Sequence, residues 1–118
     1  MFTHLREPVQ DLWLSELRRV MKVGGVGLFT VHGMTTIDYA ALSPPSYLAL
    51  KARVEREGIV LGGTNSDLVG AVDRPEEYVN VFHDDRYVRE HWKQWFDIVD
   101  IIPGFVFTHD LVVVRKRG

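Results

Sequence analysis

With 118 residues, 46% of them hydrophobic and 25% charged, the chain has the size and composition of one soluble globular domain able to bury a core. Fourteen Lys and Arg against 16 Asp and Glu give a formal charge of −2, which argues against the broad basic footprint that nucleic acid or anionic lipid requires. Cysteine is absent, so disulfides and thiolate chemistry are excluded and the cytoplasm is the expected compartment; no apolar run reaches membrane-span length, and the first residues lack the apolar core of a signal peptide.

In chain order, the first expected element is a helix. Pro8 suits a first turn, where a missing N–H costs nothing, and Glu7 complements the positive end of the helix dipole. Val9, Leu12, Trp13, Leu17, Val20 and Met21 recur at helical spacing and predict the buried stripe. Arg18, Arg19 and Lys22 suit the last turns, and Gly24-Gly25 end the element. Val26 to Val31 is apolar almost throughout, which predicts a strand covered on both faces, as in a parallel sheet. Such a sheet needs a strand before the helix, and only Met1 to Leu5 precede it, so the earlier strands are expected outside this chain.

After Gly33 the signals are more widely spaced. Ser43-Pro44-Pro45-Ser46 is a break, with Ser46 as the expected cap of a helix from Tyr47 to about Glu57, stopped by Gly58. Gly62-Gly63-Thr64-Asn65-Ser66 and the stretch around Asp73-Arg74-Pro75 read as loops, and Tyr78 to Phe82 as a short extended segment. Asp84 or Asp85 caps a helix with the apolar stripe Val88, Trp92 and Trp95. Phe96 to Ile102 reads as a strand, Pro103-Gly104 as a turn and Leu111 to Val114 as a last strand, so the final two strands are expected to be antiparallel neighbours. No repeat, low-complexity tract or internal domain boundary interrupts residues 1–118.

Helix, double glycine, buried strand, irregular helical region and closing hairpin resemble the C-terminal half of class I S-adenosylmethionine-dependent methyltransferases. Phe2-Thr3-His4-Leu5 is similar to the end of that family's fourth strand. Trp13-Leu14-Ser15-Glu16-Leu17-Arg18-Arg19-Val20-Met21-Lys22-Val23-Gly24-Gly25 is similar to the helix that follows, with Val23 where proline is usual. Phe29-Thr30-Val31-His32-Gly33 resembles the end of the fifth strand. Tyr78, Phe82-His83, Tyr87, Trp92, Phe96 and Asp110-Leu111 resemble a pattern before and within the last strands. The resemblance implies an α/β fold: the C-terminal half of a Rossmann-like sheet, with the last parallel strand, an antiparallel terminal hairpin and flanking helices. It implies a partial domain running from the fourth-strand end to the seventh strand.

The resemblance also implies function. The cofactor would be S-adenosylmethionine, contacted here by Phe2, Thr3 and His4, and His4, His32 or His83 would take a proton from a methyl acceptor of unspecified kind. The glycine-rich loop that should follow the first strand is not in the sequence: Gly24-Gly25-Val26-Gly27 ends a helix and enters a strand, the wrong order for that task. The chain is therefore expected to be inactive alone. The alternative is a non-catalytic accessory or oligomerisation module that pairs through an exposed sheet edge, by self-association or with a partner supplying the missing strands.

Residue by residue, simpler roles stand beside these. His4 lies at a terminus, and His32 either lines an acceptor pocket or begins a turn. His83 is a pocket residue or an exposed loop group, and His91 reads as a partly buried structural histidine. Asp110 reads as structural. No tight His-x-x-x-His spacing points to a metal, and no Ser-His-Asp set has a nucleophile turn.

Overall fold

The computed structural model describes residues 2–39, 42–64 and 79–118. Among these residues the chain is a mixed α/β structure with two antiparallel sheets and four helices. No helix among them is long and apolar enough to cross a membrane. Asn65, Ser66, Asp73-Arg74-Pro75 and Tyr78, expected above to be loop or extended, lie outside the described residues.

Helix α1 spans Glu7–Val20 with Pro8 in its first turn and Arg18 and Arg19 in its last. Its buried side chains are Gln10 and Leu14, with Leu17 and Met21 packed at the margin of the core. Val9, Leu12, Trp13 and Val20, expected inside, are 39%, 71%, 45% and 61% exposed. The helix carries two apolar stripes, and the sheet accepted the one containing Leu14. Leu14→Ala should therefore cost about 2–5 kcal/mol in chemical denaturation, whereas Leu12→Ala should stay within about 0.5 kcal/mol; equal losses would refute this face assignment.

Gly24, at φ +81°, makes the reversal after α1. Gly24 N–H donates to the Lys116 carbonyl at 2.9 Å and Lys116 N–H to the Gly25 carbonyl at 3.0 Å, tying this turn to the C-terminal tail. Strand β1 (Val26–Val31) follows. It alternates rather than being buried on both faces: Phe29 and Val31 enter the core, while Val26 and Leu28 are 55% and 63% exposed. Its sheet pairing is antiparallel, not the parallel pairing expected, and an antiparallel sheet tolerates one wet face.

A short helix, α2 (Met34–Asp38), was not expected. Helix α3 runs Pro44–Glu57, three residues earlier than expected, because Ser43 rather than Ser46 is the cap and accepts the Ser46 N–H. Gly58 ends it at φ +83°, as its sequence position suggested. Ile59–Thr64 forms strand β2, which corrects the reading of Gly62-Gly63-Thr64 as loop. It pairs antiparallel with β3 (Val79–His83), and a Cβ on Gly62 would lie 3.2 Å from the Asn80 carbonyl, so the glycine permits close strand contact.

Helix α4 (Asp85–Trp92) is capped by Asp84, whose carboxylate accepts the Arg86 N–H, and it buries Val88 and Trp92 as its stripe predicted. Strand β4 runs Asp97–Val106 and β5 His109–Arg115. They are antiparallel neighbours, as expected, but the turn is Phe107-Thr108. Pro103-Gly104 instead lies in a bulged stretch of β4, where register shifts between Ile102 and Val106. The three-stranded sheet has the order β1-β5-β4, so the last strand lies between its two sheet partners.

Phe2 and Trp92, both fully buried, pack edge-to-face with ring centroids 5.1 Å apart inside the larger core, beside Phe29, Phe96 and Val112. A smaller core of Ile37, Val54 and Val60 lies under α2, α3 and β2. The N-terminal segment connects the two sheets. Phe2 N–H donates to the Thr30 carbonyl at 3.2 Å, and the Thr3 carbonyl accepts Val81 N–H at 2.9 Å. His83 N–H donates directly to the His32 carbonyl at 2.7 Å.

Candidate functional site

Strand register brings the histidines together. Val31 faces Asp110 across the β1–β5 pair, so His32 and His109 come next to each other just beyond it. Their Nε2 atoms are 3.2 Å apart. The His4 ring meets His32 edge-on with centroids 5.3 Å apart, and the Phe82 ring lies 5.7 Å from His32 on the β3 side. His32 is 7% exposed, and its Nδ1 is buried without a hydrogen-bond partner. Burial, reinforced by the neighbouring His109 and His4, pushes its pKa down to about 4. His109 is also shifted downward, chiefly by burial. At neutral pH His32 and His109 thus offer lone pairs and N–H donors, not cations.

The wall beside this cluster is fixed by Asp110. Its side chain is 2% exposed, and Oδ1 accepts the Gly104 N–H at 3.1 Å. Burial raises its pKa, opposed by the Gly104 N–H and by Thr35. The structural role read for Asp110 from the sequence matches this placement. Thr36 Oγ1 donates to the Thr108 carbonyl at 2.7 Å, so residues on both sides of His109 are anchored.

The other expected site residues are dispersed. His83, read as a pocket or loop residue, is fully buried and binds Gln10 Oε1 through Nε2 at 2.9 Å. Gln10 Nε2 in turn donates to the Leu5 carbonyl at 2.6 Å. Burial first, then the nearby His32 and His91 rings, takes the His83 pKa down to about 3. It is a neutral core group with no open path to an acceptor. His91 bonds Asp11 at 2.9 Å and stacks on Tyr87, as befits a partly buried structural histidine. Phe2 is sunk in the core and Thr3 is 4% exposed, so of the three residues assigned to a cofactor only His4 stands near the surface. Among the described residues no three His, Asp or Glu side chains converge to hold a metal ion.

No protein family matches the chain. Neither a curated protein nor a solved structure is similar to it.

Two participants escaped the sequence reading. His109 was taken with Asp110 as the start of a strand, and Gln10 was not singled out. Only the β1–β5 register sets His109 opposite His32, and no spacing within the sequence encodes that register. Gln10 was detectable in principle: it shares a helical face with Leu14 and Leu17, where a polar residue needs a buried partner.

Proposed function

We propose that the chain is the acceptor-side, C-terminal half of a class I methyltransferase sheet, in which His4 and His32 face the methyl acceptor. The observation that carries this reading is the two-sided pairing of β1. The closing hairpin lies along one edge, and Phe2 bonds the other edge at Thr30, as the resemblance requires of a fifth strand flanked by a fourth. His4 and His32 then stand together at the strand ends, where open α/β sheets bind ligands.

The residues present do not make a site for S-adenosylmethionine. Phe2 and Thr3 are turned into the protein, and the sequence has no glycine-rich loop after a strand. No step is therefore assigned through that group. What this chain contributes is a neutral imidazole cluster that can accept a hydrogen bond and orient an acceptor. The isolated chain should bind S-adenosylmethionine no tighter than about 1 mM by titration calorimetry. Low-micromolar binding would overturn the assignment of the cofactor half to other strands.

The exposed apolar residues favour a second reading, a module that associates through these surfaces. Val9, Leu12 and Trp13 line an open groove on α1, and Val26 and Leu28 lie bare on β1. Both edges of the three-stranded sheet are partly guarded. Phe2 occupies the Thr30 position of β1, while Asp97, Asp100, Pro103 and two register shifts interrupt β4. Association through the α1 groove should appear as a dimer or larger species in light scattering that Trp13→Lys disperses; a monomer across the micromolar range would count against it.

A further inference from the structure

We infer that His109 is a positioning residue that holds His32 as its Nε2–H tautomer, leaving the His32 Nδ1 lone pair to accept a hydrogen bond from a ligand O–H or N–H. This deepens the proposed function, since that ligand would be the methyl acceptor, but it stands on the geometry of two rings.

The Nε2 atoms of His32 and His109 lie 3.2 Å apart, so between two neutral imidazoles one must carry the shared proton and the other accept it. If His109 were the donor, His32 would carry its proton on Nδ1, and that N–H would be buried with nothing to receive it. If His32 is the donor, the buried Nδ1 is a bare acceptor, and the Nδ1–H of half-buried His109 is left to water. Orphaned N–H groups are rarer in protein interiors than under-satisfied acceptors, so the second arrangement is preferred. The scaffold fixes the donor–acceptor direction. Thr108 is tied to Thr36 and Asp110 to Gly104, which holds the intervening His109 backbone against His32. Phe107 completes the turn at φ +55°, a conformation that side-chain-bearing residues rarely adopt.

The chemistry offered at Nδ1 selects a ligand class. A lone pair without a cation beside it suits a hydroxyl or an N–H and repels carboxylate or phosphate oxygens.

The test is long-range proton–nitrogen correlation NMR on the full, nitrogen-15-labelled chain at pH 7, which reads the protonation of each ring nitrogen without any cofactor. His32 should show a protonated Nε2 and a bare Nδ1. His109→Gln, which keeps an acceptor oxygen, should preserve that signature; His109→Leu should abolish it, giving His32 a mixed or Nδ1–H spectrum. The His83 Nε2–H signal, held by Gln10 away from the cluster, reports that each variant is folded. A native His32 protonated on Nδ1, or a His32 spectrum unchanged in folded His109→Leu, would overturn the proposal. Neither outcome depends on methyl transfer, so the proposal and the proposed function fail separately.

Discussion

Gly33→Ala should lower the stability of the folded chain by about 3 kcal/mol, the upper part of the range for overpacking a tight site. The backbone does not demand glycine there, because φ is −99°. Space does. A Cβ on residue 33 would sit 1.9 Å from Asp110 Oδ2 and 2.7 Å from Asp110 Cγ. The carboxylate cannot swing aside cheaply, since its side chain is short, buried and bonded to the Gly104 N–H. Urea denaturation of the four proteins in a double-mutant cycle isolates the cause. Asp110→Ala should destabilise the parent but recover part of the loss in the Gly33→Ala background, with a coupling above about 1 kcal/mol. Additive losses would mean that the glycine serves something other than the carboxylate. The same alanine should disturb the His32–His109 contact, because Gly33 and Asp110 are their chain neighbours.

The second large effect is a loss of stability in mild acid. His83 and His32 have folded pKa values of about 3 and about 4, well below the ordinary 6.5, mainly because burial disfavours the cation. The unfolded chain therefore binds more protons than the folded chain between pH 6.5 and those values. Stability is complete above pH 6.5 and falls as pH drops through 6 towards 4. At pH 4.5 each ring should have removed about 2–3 kcal/mol, a large share of what a small domain has. Asp110 works in the opposite sense: its raised pKa makes the folded state hold a proton more readily, so acid relieves the burial of its charge, but only at the foot of this window. Thermal melts from pH 8 to 4 should show the decline, and His83→Gln should flatten it by roughly half. A melting temperature constant from pH 7 to 4.5 would refute the account.

Legibility differs from element to element. Helix α4 was readable because Val88 and Trp92 repeat at helical spacing behind an aspartate cap, and burial followed that stripe. Gly58 as a helix stop and the antiparallel closing strands were readable for similarly local reasons. The face of α1 was not: with Val9, Leu12 and Trp13 on one side and Leu14 and Leu17 on the other, periodicity alone gives no preference. The closing turn was misplaced because Pro-Gly is strong turn chemistry, whereas the observed turn includes Phe107 at positive φ. Long-range anchors decide it: Asp110 binds the Gly104 backbone, and Thr36 binds Thr108. The double glycine in β2 misled for a related reason. Glycine favours loops locally, but here it lets β3 approach closely.

The candidate site divides along the same line. The sequence by itself determined the strand-end position of His32, the need for Gly33 after it, and the helix, double glycine and strand unit from Glu7 to Val31. These depend on contacts among near neighbours in the chain. The tertiary structure alone decided that His109 joins His32, that His83 is sealed in the core with Gln10, and that one apolar stripe of α1 is left outside. Those outcomes depend on strand register and on competition between surfaces for one core, which join residues about 70 or more positions apart and leave no local trace in composition or spacing.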